Sequence, residues 1–167
     1  MTRYSFQPLH ERDFDLVARW LVQPHVARWW PDAKRQEEKI RRWREEPWIE
    51  PYLIFLDRRP IGYIQTYDPE PAPDGDGFGQ LPGTRGIDLF IGEADQIGIG
   101  HGTAVIRRMA EQLLAEPGVV RVIGDPALDN QASIRAFEKA GFRDMGGFDL
   151  PDGPARLMVL SVVTNPE

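Results

Sequence analysis

The amino-acid sequence predicts a mixed α/β fold in which helices cover a single sheet. Its 167 residues are close to the commonest length of one domain, and apolar residues make up 41% of them, enough for one core. Helical and strand-like patterns follow one another as helices, antiparallel strands, and then strand–helix–strand–helix–strands. Because no internal repeat or second pattern interrupts this order, we expect one domain over residues 1–167.

Two helices are predicted in the N-terminal part of the chain. Apolar residues recur at one-face spacing over residues 9–22, and Pro24 ends that helix. A second, more polar helix is predicted over residues 34–46. Between them, Trp29 and Trp30 are adjacent and must point in different directions on any regular element. We therefore expect at most one of them in the core, which leaves the other for a cleft.

The rest of the chain alternates strands with helices. Short apolar, β-branched runs predict strands over residues 52–56, 61–67, 86–92, 119–124, 142–148 and 156–163. Amphipathic helices are predicted from about residue 103 to 116 and over residues 130–140. The stretch 68–83 is rich in proline and glycine and is too long for a structural turn, so we expect a functional or mobile loop there.

Composition excludes several function classes. The net charge of −6 argues against a nucleic-acid partner, because binding of phosphate backbones needs a basic face. The chain has no cysteine, so disulfides, thiolate zinc sites and cysteine nucleophiles are excluded, and we expect no metal site. There is no apolar run that could span a membrane, and the polar N-terminus lacks the core of a signal peptide. A cytoplasmic protein is the expectation.

A glycine-rich stretch in front of a helix carries the clearest chemical signal. It consists of Gln96, Ile97, Gly98, Ile99, Gly100, His101, Gly102 and Thr103. Glycines allow positive φ angles and close approach of the backbone, and the free N–H groups at a helix start attract phosphate. A dinucleotide-binding loop would follow the first strand, and a P-loop would continue Gly-Lys-Ser/Thr; this stretch does neither.

Two motifs together resemble the GNAT superfamily of acyltransferases. Gln96 and the glycines at 98, 100 and 102, followed by an amphipathic helix, look like its acyl-CoA-binding motif, and residues 130–142, Asn-Gln-Ala-Ser-Ile-Arg-Ala-Phe-Glu-Lys-Ala-Gly-Phe, look like its second signature. The resemblance implies a GNAT fold, an α+β arrangement with a mixed, mostly antiparallel sheet splayed at the acyl-CoA site and helices on both faces. It implies acetyl-CoA as cosubstrate. It also implies coenzyme contacts from Leu89, Phe90, Ile91, Asn130 and Phe137.

Further segments resemble one branch of that superfamily, the aminoglycoside 6′-N-acetyltransferases. They are residues 25–30 (His-Val-Ala-Arg-Trp-Trp), 60–67 (Pro-Ile-Gly-Tyr-Ile-Gln-Thr-Tyr), 85–88 (Arg-Gly-Ile-Asp), 125–126 (Asp-Pro) and 151–154 (Pro-Asp-Gly-Pro). Siderophore-type acyltransferases share the Trp-Trp region, so that segment alone does not decide. The resemblance implies a cationic small-molecule amine, an aminoglycoside, as the acceptor.

Acceptor binding is predicted to rest on carboxylates for ammonium groups and on aromatic faces for sugar rings. The candidates are Trp29, Trp30, Tyr67, Asp74, Asp76, Phe78, Asp88, Asp125 and Asp152. Asp88 interrupts an apolar strand, which is costly unless it has a partner. Asp152 is also explained by its turn and Asp125 by the end of a strand. The acidic residues near Asp74 are equally explained as a solvated loop.

The mechanism predicted from these residues places Asp88, or a water it holds, as the base that orients and deprotonates the amine. Backbone N–H groups near residues 89–91 would polarise the thioester carbonyl. Many relatives carry a tyrosine where this chain has Phe137, so Tyr63, Tyr67 or water must replace that acid, or none is needed. His101 is interpreted as solvent-facing or phosphate-contacting, and His10 and His25 as structural.

Two other functions stay open at this point. One is a GNAT acyltransferase acting on another amine, such as a siderophore precursor or a polyamine. The other is a module that binds acyl-CoA without turnover. The sequence is compatible with a monomer or a homodimer.

Overall fold

The chain forms one seven-stranded sheet with helices on both faces in a computed structural model, which describes residues 3–69 and 82–162. The strands are β1 (Tyr4–Pro8), β2 (Ile49–Leu56), β3 (Arg59–Tyr67), β4 (Thr84–Ile91), β5 (Arg121–Gly124), β6 (Arg143–Leu150) and β7 (Gly153–Ser161). The helices are α1 (Phe14–Leu21), α2 (Pro24–Ala27), α3 (Ala33–Trp43), α4 (His101–Leu114) and α5 (Gln131–Lys139). The predicted loop residues Asp74, Asp76 and Phe78 lie outside the described residues.

The sheet runs in the order β1-β2-β3-β4-β5-β7-β6. Its neighbours are antiparallel except for β4 and β5, which run parallel. Parallel neighbours need a crossover, and α4 supplies it. This arrangement confirms the predicted mixed, mostly antiparallel sheet.

Strand alternation divides the core between the two faces of the sheet. On one face, Ile64 and Ile87 pack with the buried sides of α4 and α5. On the other face, Tyr63 and Phe90 pack with residues of α1 and α3. Because neighbouring strand residues point to opposite faces, each strand of the sheet centre serves both clusters.

Two short elements were not predicted. Strand β1 pairs antiparallel with β2 at the sheet edge, and the alternation of Tyr4 and Phe6 was its sequence signal. Helix α2 begins at Pro24, which was interpreted only as the end of the preceding helix. Proline is favoured at the first position of a helix because its missing N–H is unpaired there in any case.

The two helix starts in the second half of the chain differ in how they are built. At α4 the residue before the helix is Gly100, with φ of +96°, and no heavy atom lies within 4 Å of the position that a Cβ would take there. At α5 the side chain of Asn130 caps the helix by accepting a hydrogen bond from Ser133 N at 3.2 Å. Both starts point toward the gap in the sheet described next.

Candidate active site

Strands β4 and β5 separate after a short stretch of pairing, as the resemblance implies. Their paired residues are Thr84 to Gly86 with Arg121 to Ile123, and from Ile87 onward no strand among the described residues pairs with β4 on that side. Gly92 N–H donates to Ile61 O at 2.8 Å, so the backbone groups of Gly92 point toward β3. Because these groups alternate in direction along a strand, every second residue of β4 before Gly92 points the same way. The backbone groups of Leu89 and Ile91 therefore face the gap.

His25 closes the far end of this gap. Its Nε2 donates to the carbonyl oxygen of Ile91 at 2.9 Å, which fits a carbonyl that faces away from β3. The prediction that His25 is structural holds to that extent, although the residue also borders the gap. Phe90 differs from its neighbours, because the same alternation directs its backbone toward β3 and its ring stacks on Tyr63. Its predicted backbone contact to the coenzyme is therefore not supported by this orientation, although the residue borders the gap.

A cavity of about 490 Å³, here called the gap cavity, extends from the open edge of β4 to the starts of α4 and α5. It is lined by most of the predicted coenzyme residues: Leu89, Phe90, Ile91, Gln96, Ile97, Gly98, Gly100, Gly102, Thr103 and Asn130. Arg135 and Lys139 of α5 also line it and bring positive charge to its wall. These two cations are not among the predicted site residues.

The glycines of the loop are needed for backbone conformation more than for space. Gly98 and Gly100 have φ of +73° and +96°, a region that side chains with a Cβ rarely adopt. A Cβ at either position would meet no heavy atom within 4 Å. The loop therefore presents open backbone at the N-terminus of α4, where N–H groups and the helix dipole favour an anion.

His101 does not face solvent, and this part of the prediction is wrong. Its side chain is only 9% exposed and lies beneath the loop. Nδ1 lies 2.6 Å from the hydroxyl of Tyr4, and Nε2 lies 2.8 Å from Oε1 of Gln96. Ile99, 64% exposed, is also absent from the lining of the gap cavity, so neither side chain reaches it.

A second cavity of about 250 Å³, here called the acidic cavity, lies on the α3 side of β4. Three predicted carboxylates line it: Asp88 from β4, Asp125 after β5, and Asp152 in the turn between β6 and β7. Trp29, Trp30 and Trp43 add aromatic walls. Sequence-distant carboxylates thus meet around one space, as the acceptor prediction requires.

Asp88 is held by a hydrogen-bonded pair from the neighbouring strand. Gln65 lies directly opposite it in the β3–β4 register and donates from Nε2 to Asp88 Oδ2 at 2.9 Å. The Gln65 Oε1 accepts in turn from the Tyr63 hydroxyl at 2.6 Å. Burial, and then the nearby Asp88 carboxylate, raise the pKa of Tyr63 well above its usual value, so its hydroxyl keeps the proton that it donates.

The two cavities meet beside Asp88. Trp29, Trp30, Leu89, Asn130 and Ser133 line both of them. Trp30 is fixed there by edge-on contacts to Phe90 and Tyr63, with ring centroids 5.2 and 6.0 Å apart. Both tryptophans are half-buried, so the expectation of at most one core tryptophan is met and both face the clefts.

Comparison with known proteins decides the family. A family model described as an acetyltransferase (GNAT) domain matches residues 10–150. The chain belongs to the GNAT acetyltransferase family. It is 36% identical over 159 residues to the aminoglycoside N(6′)-acetyltransferase type 1 of Klebsiella pneumoniae, covering 89% of this chain and 78% of that protein.

Solved structures of GNAT acetyltransferases give the same fold. The aminoglycoside acetyltransferase AAC(6′)-Ib in complex with coenzyme A and kanamycin matches with a TM-score of 0.84 and 34% identity, covering 95% of this chain and 94% of that one. Its complex with parmomycin and acetyl-CoA matches with a TM-score of 0.85 and 33% identity, covering 96% and 94%. A more distant relative, the N(6)-hydroxylysine O-acetyltransferase of Escherichia coli, is 28% identical over 151 residues, 88% of this chain and 48% of that protein.

The gap cavity of this GNAT acetyltransferase fits an acyl-CoA. The unpaired edge of β4 offers backbone groups to a pantetheine arm, and the open glycine backbone at the start of α4 offers N–H groups to a pyrophosphate. Arg135 and Lys139 add cations for further phosphate charge. Among the residues described, no group of three or more His, Asp or Glu side chains could hold a metal ion.

Two predicted site residues of this GNAT acetyltransferase lie elsewhere. Tyr67 is only 7% exposed, because its ring packs under Gly86, and it lines neither cavity. Phe137 is buried against Phe142 and borders the acidic cavity, not the gap cavity. Its predicted role in coenzyme binding is therefore not supported by its position.

Several lining residues are not among the predicted site residues. Gln65 had a signal, because a polar residue between Tyr63 and Tyr67 alternates onto the same buried face of β3. Lys39 and Trp43 of α3 had none, since a helix with many charges is the expected surface helix. In the structure the Lys39 Nζ lies 5.2 Å from the centre of the Trp43 ring, and both line the acidic cavity. Among the described residues no helix is both long and apolar enough to cross a bilayer.

Proposed function

We propose that this GNAT acetyltransferase moves the acetyl group of acetyl-CoA to the 6′-amine of aminoglycosides. One observation carries the proposal: a cavity lined by Asp88, Asp125 and Asp152 opens directly beside the gap that fits the acyl-CoA. Carboxylates from separate segments around aromatic walls suit a hydroxyl-rich polycation. The names of the relatives that match over most of the chain support the same acceptor.

Asp88 is proposed as the group that receives and orients the attacking amine. It lines the acidic cavity next to Leu89, whose backbone groups face the gap. Gln65 and Tyr63 hold the carboxylate from β3, so the side chain needs little reorganisation on binding. An ordinary aspartate is a weak base toward an ammonium group, and we therefore assign it positioning as well as proton acceptance.

The donor side needs a polarised carbonyl and a leaving group. Acetyl-CoA supplies an activated thioester, and the backbone N–H of Leu89 in the gap is proposed to donate to its carbonyl oxygen. Phe137 has no proton to give, Tyr63 donates its own to Gln65, and Tyr67 lines neither cavity. We propose that no tyrosine acts as general acid and that the thiolate leaves without one.

A second candidate function has one observation in its favour. Lys39 places an ammonium group in the acidic cavity, where it would suit an acceptor that carries a carboxylate. N(6)-hydroxylysine is such an acceptor, and the Escherichia coli relative is named for acetylating it. Lys39 is a single cation among three carboxylates, so we rank this function second.

Thiol release from acetyl-CoA, measured with a panel of acceptors, tests the proposal. Kanamycin and ribostamycin are expected to be turned over, with kcat/KM at least about tenfold higher than for N(6)-hydroxylysine or a polyamine. Turnover of hydroxylysine alone would favour the second candidate. Binding of coenzyme A without turnover of any acceptor would contradict both and favour a non-catalytic module.

Expectations about the setting of the enzyme stay predictions. They are action in the cytoplasm, a monomeric or homodimeric state, and no nucleic-acid partner. The net charge of −6 supports the last of these, because an acidic surface repels phosphate backbones.

A further inference from the structure

A hydrogen-bonded chain of three partly buried polar side chains joins the glycine loop to the edge of the sheet. The Tyr4 hydroxyl and His101 Nδ1 lie 2.6 Å apart, and His101 Nε2 and Gln96 Oε1 lie 2.8 Å apart. The Tyr4 and His101 rings also meet edge-on, with centroids 5.8 Å apart. The chain thus connects β1, the first residue of α4 and the residue that precedes the loop.

The proton positions in this chain follow from what each group can donate. Burial raises the pKa of the Tyr4 phenol, so Tyr4 remains a neutral donor. A carbonyl oxygen such as Gln96 Oε1 can only accept, which places the ring proton of His101 on Nε2. Nδ1 is then free to accept from the Tyr4 hydroxyl. With this placement both ring nitrogens of His101 have a partner of the matching kind.

Residues 97–100, which lie between Gln96 and His101, make few contacts with the rest of the protein. Ile97 and Ile99 are 43% and 64% exposed, and the outward sides of Gly98 and Gly100 meet no atoms within 4 Å. Glycine loses more conformational freedom on ordering than any other residue. A loop of this kind pays an entropic cost when it closes on a ligand unless its ends are already fixed.

The Gln96–His101 hydrogen bond fixes those ends, because its two residues flank the loop on either side. Tyr4 in turn anchors His101 to a strand that is paired with β2 along its length. We infer that His101 is a positioning residue for the coenzyme, which holds residues 97–100 in the shape that presents their N–H groups to the pyrophosphate. The inference rests on the proposed coenzyme site and not on the identity of the acceptor.

Direct titration of coenzyme A into the purified protein tests this role. His101→Leu keeps the volume but removes both hydrogen bonds, and we expect Kd for coenzyme A to rise about tenfold. Tyr4→Phe removes one hydroxyl and should raise Kd about threefold. Tyr52→Phe removes a hydroxyl from β2, outside the chain of three, and should leave Kd unchanged.

A double-mutant cycle separates positioning from general stability. Tyr4 acts through His101, so Tyr4→Phe should add no further loss of affinity in the His101→Leu background. In steady-state kinetics the loss should lie in KM for acetyl-CoA and not in kcat. Tyr4→Phe is mild enough to fold, and it keeps the test open if His101→Leu does not.

Two results would overturn the inference. One is an unchanged Kd for coenzyme A in both variants, even with a lower unfolding temperature, because the chain would then only stabilise the fold. The other is equal, additive losses from Tyr4→Phe with and without His101. Failure of the unmodified protein to bind coenzyme A would instead overturn the proposed function, and with it the premise of the inference.

Discussion

The two cavities that meet at Leu89 are built in opposite ways. The gap cavity comes mainly from four short stretches of chain: residues 25–30, the open edge of β4, the loop at residues 96–103, and α5 with its cap. The acidic cavity collects single side chains from α3, β3, β4, the end of β5 and the β6–β7 turn. The donor site is thus mostly backbone and local, and the acceptor site is mostly side chain and long-range.

This difference predicts how each site responds to change. Every substitution except proline leaves the backbone N–H in place, so the gap cavity is damaged mainly through conformation, at glycines. Side-chain carboxylates can be neutralised one at a time, so the acidic cavity is damaged through charge. Substitutions should therefore separate coenzyme affinity from acceptor turnover, and the following predictions test that separation from the largest effect to the smallest.

Asp88→Asn tests the acceptor side at the meeting point of the cavities. It keeps the shape but removes the charge and the proton acceptor, so kcat should fall about 10²-fold or more. Kd for coenzyme A, measured by titration, should change less than about twofold, because the side chain lies on the α3 face of β4. Asp15→Asn, on the exposed side of α1, is the matched control and should alter neither quantity. Full activity of Asp88→Asn would show that its assigned role is wrong.

Gly100→Val tests the donor side through backbone conformation. Valine at φ of +96° is strained, and its methyl groups would project from the start of α4, so Kd for coenzyme A should rise about tenfold or more. Gly118→Val is the control, because Gly118 also has a positive φ of +82° and an open side but lies far along the chain in another loop. Both variants should lose similar stability in thermal unfolding, and only Gly100→Val should lose coenzyme affinity. Equal loss of affinity in the two would mean that stability, not the loop, is being measured.

Asp125→Asn and Asp152→Asn test whether the acidic cavity binds a polycation. Each should raise KM for kanamycin about three- to tenfold and leave KM for acetyl-CoA unchanged. Because the effect is electrostatic, it should shrink as salt is added during the assay. Asp149→Asn, exposed on β6 and outside the lining, provides the control. A KM that does not depend on salt in any variant would argue against recognition by charge.

Tyr63→Phe is expected to have the smallest effect. It removes the hydroxyl that donates to Gln65, which should loosen the hold on Asp88 and lower kcat about three- to fivefold. The shape of the pH–rate profile should not change, because Tyr63 keeps its proton throughout and is not the general acid. Loss of a limb of that profile in Tyr63→Phe would restore Tyr63 as the acid.

The same contrast explains how much of the molecule could be predicted from the sequence. The donor loop is contiguous, so its glycines, helix and phosphate-binding character are visible along the chain, as is the Asn130 cap. In the acceptor site, a residue could be predicted only where it differs from the pattern of its own segment, as Asp88 does inside an apolar strand. Lys39 and Trp43 show no such difference, because α3 has the composition of an ordinary surface helix.

The errors have physical reasons of the same kind. The sequence predicts a solvent-facing or phosphate-contacting His101, since nothing in it shows that Tyr4 of β1, 97 positions away, lies beside this residue. Tyr67, in a segment that resembles the aminoglycoside branch, is predicted to contact the acceptor, yet its ring packs under Gly86. Long-range pairing decides both cases, and a single sequence does not contain it.

Analysis of the acetylated product tests the central claim most directly, because it reports on both cavities at once. The protein is incubated with acetyl-CoA and kanamycin, and the position of the new acetyl group is determined by NMR. The proposal predicts one acetyl group on the 6′-amine, and no product from a matched aminoglycoside that carries a hydroxyl at that position. Acetylation at another amine, or no product from kanamycin at all, would contradict it.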